Sequence, residues 1–485
     1  MSQRPTDTFS ESMGDLKADS DSRQGAAEPG LVMLFAVGQP YCTVLPVGPV
    51  PLEVGRGVGV LQDHRDSLMS RRHARVAYRE GCFEVTDLGG RNGSAIDGIP
   101  FTGTKIVSEQ SVIRLGHSLF MCCRDLRPFR GFGVRSVDGR IEGPTLQQVS
   151  RTVAQLAQAS RTLFLCGESG SGKEAQAQTF HRAAPQNSGP LIAINCAAIP
   201  EGVAERLLFG ARKGSFSGAT SDGEGYIEAA NGGTLFLDEV AELSDNVQSK
   251  LLRVIETGEL LPLGATRVRK VQFRVCSATY KDLRALAQAG RFRTDLYFRI
   301  GIPEVNLPPL RERREEIPWL IHQAVAGAAS ELSVSALLVE ACLLRPWPGN
   351  IRELLAEIST AALAARAARS ALLLTEHLNP KAGTSMAAPA VLPSASPKLT
   401  EEPPPAFSSS WSPSMSVTSS SVEGQNQAPT RAEILATLVA AKGNVSAAAR
   451  TVGIHRTQFR RLLVRYQIDV GKVRDLGAGA TGKRG

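Results

Sequence analysis

No run of apolar residues in this 485-residue chain is long enough to cross a bilayer, so a helical membrane span is not expected. Its eight cysteines (42, 82, 122, 123, 166, 196, 276 and 342) contain no Cys-x-x-Cys pair. That spacing indicates neither a disulfide framework nor a zinc site, and it fits a reducing compartment. The opening stretch, TDTFSESMGDLKADSDS, is polar and acidic and lacks the charged-then-apolar pattern of a secretion signal. There is no internal repeat. A soluble, cytoplasmic protein is the expectation.

What is present divides the chain. With 485 residues, 42% of them hydrophobic, it has material for two or three cores. The net charge of +8 points to an acidic partner only once the charge is located. Residues 1–29 lack the apolar content to pack. Residues 30–128 hold short β-rich runs (LVMLFAV, HARVAY, CFEVTDL, SVIRL) between Gly and Asp turns, the pattern of an all-β sandwich. In residues 141–380, strand-like runs (TLFLCG, PLIAIN, GTLFLDE, QFRVCSAT) alternate with helical ones, predicting a parallel α/β sheet. Residues 381–427 are rich in Pro, Ser and Ala and read as a linker spanning roughly 40 Å or more. A short basic helical segment occupies 428–470, and 471–485 form a Gly-rich tail. The fold class is therefore multidomain: a β-sandwich, an α/β domain and a small all-α module.

GESGSGKE follows the run TLFLC and opens a helical stretch, as a phosphate loop does. In such a loop, Gly167, Glu168, Ser169, Gly170, Ser171 and Gly172 turn backbone N–H groups toward phosphates, while Lys173 reaches the β and γ phosphates. Glu174 stands where a hydroxyl would usually meet magnesium, and alone the loop could be a Gly-rich turn. GGTLFLDE adds a second signal. Asp238 ends the strand and can hold Mg2+, and Glu239 can polarise the attacking water. ATP with Mg2+ is the expected substrate and cofactor.

These motifs together resemble the AAA+ central domain of bacterial enhancer-binding proteins, the activators of sigma-54 RNA polymerase. That family's phosphate loop also carries Glu after the lysine. LFGARKGSFSGA resembles its sigma-54-contacting loop, here Gly214, Ser215, Phe216, Ser217, Gly218 and Ala219; LPPLRERREEIP and WPGNIREL resemble further signatures. The resemblance implies Arg293 and Arg299 as arginine fingers acting from a neighbouring subunit, within a ring that is usually a hexamer. It implies Arg352 as the second sensor, Thr279 in the first sensor, and Asn195 as a switch holding Glu239. Taken alone, each arginine would be a surface ion-pair partner. Two departures stand out. Tyr280 replaces the usual Asn after Thr279, and Ser215 and Ser217 replace the Ala and Thr of the usual loop; Ser217 keeps a hydroxyl and loses a methyl, a contact worth about 1 kcal/mol if buried at the interface.

VGR, SRRH and DLGGRNGS resemble a forkhead-associated (FHA) domain. The resemblance implies Arg56, Ser70 and Arg71 on the phosphate of a phosphothreonine protein, Asn92 on the ligand backbone, and His73 as scaffold. Gly90 and Ser94, where Ser and Thr are usual, are mild changes. Residues 431–468 carry helix-turn-helix punctuation and resemble a Fis-type DNA-binding domain, with His455, Arg456, Thr457, Gln458, Arg460 and Arg461 opening the recognition helix toward enhancer DNA. The expectation is an ATP-driven activator of sigma-54 polymerase regulated by phosphothreonine recognition. The rivals are a remodeller of another protein and an ATPase-dead DNA-bound adaptor.

Overall fold

A computed structural model describes residues 27–57, 61, 66–185, 189–215 and 221–385, with 434, 437–438, 441, 445–451 and 459 toward the C-terminus. The chain divides into two units, Met1–Leu392 and Pro393–Gly485.

The first unit opens on ten strands: β1 (Gly30–Ala36), β2 (Gln39–Pro46), β3 (Leu52–Val54), β4 (Ala74–Arg79), β5 (Cys82–Asp87), β6 (Ser94–Ile96), β7 (Ile99–Phe101), β8 (Thr104–Val107), β9 (Val112–Leu115) and β10 (Ser118–Cys123). They form two antiparallel sheets, ordered β2-β1-β10-β9-β6-β7 and β3-β4-β5-β8. Side chains alternate across a strand. In β10, Phe120 and Cys122 enter the sandwich core with Phe83 and Val85, whereas Leu119, Met121 and Cys123 point the other way. In β1, Leu31 and Met33 point inward and Val32 and Leu34 outward, with a register shift between Met33 and Phe35. All of these residues are buried. The sandwich therefore has a covered outer face.

After a short helix (Arg127–Phe132) and the hairpin of β11 (Arg135–Val137) and β12 (Arg140–Glu142) comes a five-stranded parallel sheet. Its strands β13 (Thr162–Cys166), β14 (Leu191–Asn195), β15 (Thr234–Asp238), β18 (Arg274–Thr279) and β19 (Glu304–Asn306) lie in the order β14-β15-β18-β13-β19; the small hairpin of β16 (Glu259–Leu260) and β17 (Arg269–Lys270) stands outside it. Helices cover both faces, as crossover connections require. Pro144–Ala159 and Lys173–Arg182 pack on one face through Val153, Ala157, Ala177 and Phe180. Glu201–Phe209, Asp245–Thr257 and Thr294–Ile300 pack on the other.

A helical lid follows: Ile317–Ala328, Ala336–Leu344 and Asn350–Ala367, with β20 (Ser333–Val334) and β21 (Leu372–Leu373) pairing between them. This lid covers the outer face of the sandwich. Val32, Leu34, Leu119 and Met121 share one apolar core with Leu320, Ile321, Val339 and Leu343. At its edge Arg114 Nε donates to Glu340 Oε2 at 2.7 Å, with the two side chains 17% and 5% exposed. In the second unit, the helix Val445–Thr451 is described, and Ile434, Leu438, Ala448, Ala449 and Phe459 are buried. Among the described residues no helix is long and apolar enough to cross a membrane.

Where lid, sandwich and sheet meet, Glu315 is buried and its Oε1 has no hydrogen-bond partner. Burial, with the neighbouring Glu316 carboxylate adding to it, pushes the Glu315 pKa up to about 8. In the unfolded chain the group ionises near 4.5, so the native state binds the extra proton between 4.5 and 8. Stability then falls as pH rises through that window, by at most about 1.4 kcal/mol per pH unit for one proton. Glu315→Gln should remove this slope. Chemical denaturation at a series of pH values should show the variant gaining on the wild type from pH 4.5 to 8; a constant difference would show that Glu315 does not hold the proton.

Candidate nucleotide and phosphopeptide sites

The parallel sheet delivers its chemistry at the carboxyl ends of its strands, where ligands bind in open α/β folds. Pairing aligns Asn195 with Asp238, and Cys166 with both Thr279 and Asn306. The loop 167–172 leaves β13 at this edge and runs into the helix Lys173–Arg182. Gly172 takes φ 106° at the helix start and Gly170 takes φ 74°. A Cβ on Gly170 would collide with the Gly349 carbonyl oxygen of the lid, so this glycine serves both a left-handed turn and a close approach.

The loop borders a cleft of about 830 Å3 lined by residues 169–176, Asn195, Asp238, Glu239 and Arg352, and by Ile141, Leu320 and Leu355 on an apolar side. Lys173 is buried; its Nζ donates to the carbonyls of Gly167 (3.0 Å) and Glu168 (3.4 Å) and lies 3.6 Å from Glu239 Oε1. Glu239 sits in left-handed backbone at φ 51°, sparsely populated for a residue with a side chain and found where a site is held in place by its surroundings. Its Oε2 accepts from Thr279 Oγ1 at 3.0 Å. Burial raises the pKa of Asp238, with Lys173 opposing it and Glu239 adding to it. Two carboxylates are the hard oxygen donors that magnesium takes, and a lysine beside them suits the anionic oxygens of a phosphate, so the residues fit Mg2+ and nucleotide.

The other expected residues fall in three places. Glu174 is exposed in the first helical turn, and Arg352 NH1 donates to Ser169 Oγ at 3.1 Å. Asn195 lines the cleft, but its Oδ1 accepts from Ala197 N at 3.0 Å; the bond to Glu239 comes from Thr279 instead. Arg293 and Arg299 are exposed away from the cleft, pairing with Asp295 at 2.7 Å and Glu256 at 3.5 Å. Of the finger loop, Gly214 and Ser215 are described, while Phe216, Ser217, Gly218 and Ala219 lie outside the described residues. The stem is well tied. Ala211 and Gly223 exchange both backbone hydrogen bonds, Lys213 N donates to Asp222 Oδ1 at 2.8 Å, and Arg212 pairs with the same carboxylate.

At one end of the sandwich the loops carrying Arg56, Ser70, Arg71 and Asn92 converge. Arg56 N donates to Ser70 O (3.0 Å), and Asn92 Nδ2 to Leu68 O (2.8 Å). His73 is fully buried; its Nδ1 accepts from Ser70 N at 3.0 Å, so Nε2 carries the proton and donates to Gly93 O at 3.1 Å. A Cβ on Gly90 would stand 2.6 Å from that Nε2, so the missing side chain is accommodated by the histidine rather than being a neutral change. His455, Arg456, Thr457, Gln458, Arg460 and Arg461 lie outside the described residues.

Family models match the chain along its length: an FHA domain at 52–116, a sigma-54 interaction domain at 140–306, an AAA+ ATPase lid domain at 311–390 and a bacterial regulatory protein of the Fis family at 431–466. The transcriptional regulatory protein GlrR of Escherichia coli K12 is 34% identical over 338 residues, 68% of each chain. The chain belongs to the sigma-54-dependent transcriptional regulators. The DNA-binding transcriptional regulator NtrC of the same organism is 44% identical over 218 residues, 44% of this chain and 46% of NtrC. The chain thus spans about half the length of the first curated relatives it matches. Among solved structures, NtrX from Brucella abortus is 25% identical, covering 67% of this chain and 68% of that one, with a TM-score of 0.46.

In this sigma-54 regulator two site-building residues were given no role by the sequence, Asp66 and, within the signature WPGNIREL, Asn350. Asp66 is buried near the loops that carry Ser70 and Asn92, its Oδ1 accepting from Leu68 N (2.9 Å) and its Oδ2 from His117 N and Ser118 Oγ (both 2.8 Å). Asn350, at φ 53°, donates to Ser169 O at 3.0 Å and Glu168 Oε2 at 3.1 Å and accepts from Leu310 N. The phosphate loop is therefore held from the lid side. Gly170→Ala should separate the cost of this approach from backbone strain. In Gly172→Ala a Cβ at φ 106° meets nothing within 4 Å and costs strain alone, about 1–2 kcal/mol. Gly170→Ala should cost about 1–3 kcal/mol more through overpacking. Equal denaturation midpoints would show that the lid yields freely to the loop.

Proposed function

We propose that this regulator hydrolyses ATP to remodel closed sigma-54 RNA polymerase while bound to enhancer DNA, under the control of a phosphothreonine protein. The observation that carries the reading is the convergence of Lys173, Asp238, Glu239 and Thr279 at one sheet edge beside the phosphate loop. Bound Mg2+ supplies charge neutralisation at the phosphates, and Asp238 with the loop residues would hold it. Glu239 orients and polarises the attacking water, and Thr279 fixes its carboxylate. The exposed Arg293 and Arg299 suit a site completed by the next subunit of a homo-oligomeric ring. The tied stem at 211–223 makes a firm base for a loop that presses Phe216 on sigma-54. The Fis-type segment supplies the DNA contact.

Two measurements test this. ATP turnover should fall by about 10²-fold or more in Glu239→Gln; with purified sigma-54 polymerase, open-complex formation should need both ATP and Phe216. Turnover without opening would redirect the ATPase to another protein. For the sandwich, a phosphothreonine peptide library should be retained by the full chain and lost in Arg56→Ala and Arg71→Ala. Each charge-assisted bond is worth about 1.5–3 kcal/mol, so affinity should drop by roughly tenfold or more. Equal retention of unphosphorylated peptides would sink the phosphate reading.

A further inference from the structure

The segment Arg311–Glu316 touches the phosphate loop and the sandwich at once. Arg311 grips Glu168 of the loop with two hydrogen bonds, at 2.9 and 2.7 Å. Arg313 is fully buried; NH2 donates to Ser171 O at 2.6 Å and NH1 to Glu316 Oε2 at 2.9 Å. Glu316 Oε1 in turn accepts from Gly143 N at 2.8 Å. Arg314, between them, donates from NH1 to Gln110 O in the turn before β9. Glu315, beside it, is buried. The next residue, Ile317, starts the lid helix that packs on the outer face of the sandwich.

The buried members of this stretch, Arg313, Glu315 and Glu316, have little room to move. Packed interiors pass displacement on rather than absorb it, and a buried guanidinium moved from its carbonyl leaves both groups unsatisfied. We infer that seating of the sandwich on the lid and nucleotide binding at the phosphate loop are thermodynamically coupled through residues 311–316, with Arg313 the residue that positions the loop. The inference rests on the nucleotide reading of the cleft. The seated sandwich holds Arg313 on Ser171 and keeps the loop in binding geometry; by linkage, nucleotide tightens the seat. A phosphopeptide ligand that moved the sandwich would then change nucleotide affinity without touching the cleft.

The test uses the full chain and ADP, titrated by calorimetry. Glu340→Arg sets like charges against Arg114 at the interface and should unseat the sandwich, seen as faster amide exchange at residues 119–123. Its ADP affinity should fall by about fivefold or more, the low end of measured couplings. Adding Arg114→Glu restores an opposite pair and should return affinity close to the wild type. Arg314→Ala, which cuts the bond to Gln110 O and a second to Arg311 O within the segment and leaves the core intact, should weaken ADP in the same direction and covers the case in which the charge reversal fails to fold. Reciprocally, ADP should slow exchange at 119–123 in the wild type. Unseated or Arg314→Ala chains that bind ADP as the wild type does would overturn the coupling alone. A wild type that binds no ADP would overturn the nucleotide reading and the coupling with it.

Discussion

The outer face of the sandwich cannot stand in water. An antiparallel sheet usually keeps one face dry and one wet, and its strands alternate accordingly. Here β1 and β10 are apolar on both sides, and Val32, Leu34, Leu119 and Met121 must be covered. The lid helices cover them, which fixes where the lid stands and therefore where the segment before its first helix runs. That segment carries Arg311 and Arg313 to the phosphate loop. The position of the loop thus depends on a sheet in another domain.

The parallel sheet solves a different problem with the same economy. Its register puts Asn195, Asp238 and Thr279 at one edge, so the strand that ends in Asp238 has a neighbour that supplies the hydroxyl on Glu239. Bending Glu239 into left-handed backbone turns its carboxylate toward Lys173 and Thr279. The strain is tolerable because the residue directly before it ends a strand buried on both faces and the residue after it, Val240, is in the core.

Much of this was legible in the sequence. GESGSGKE after an apolar run and LFLDE after another locate the cleft, because a phosphate loop and a strand-end acid pair are local chemistry with local spacing. The sandwich, the α/β domain and the order of the modules follow from composition and periodicity. The docking of the sandwich was not read from the sequence, although LVMLFAV and SLFMCC are continuous where a half-wet strand would alternate. RERREE hid its role for a physical reason. Charge runs are ordinarily solvated, and only tertiary packing reveals that Arg313, Glu315 and Glu316 are buried while Glu312 and Arg314 keep some access to water. Arg293 and Arg299 are hidden differently, since within their own chain they make only exposed ion pairs with Asp295 and Glu256, as any surface arginine does.

The buried Arg313–Glu316 pair is also a poor way to gain stability. Taking both charges out of water costs about as much as their attraction returns, and apolar residues of the same size would often do better. What the pair supplies is direction. An apolar side chain at 313 would fill the space but leave the Ser171 carbonyl without its donor and the loop without its register. Glu316 fixes the guanidinium in one orientation and spends its second oxygen on Gly143, the residue that opens the helix Pro144–Ala159. Three elements (phosphate loop, lid and first helix) are thereby tied to one another by directional bonds, and Arg314 beside them carries the tie on to the sandwich at Gln110.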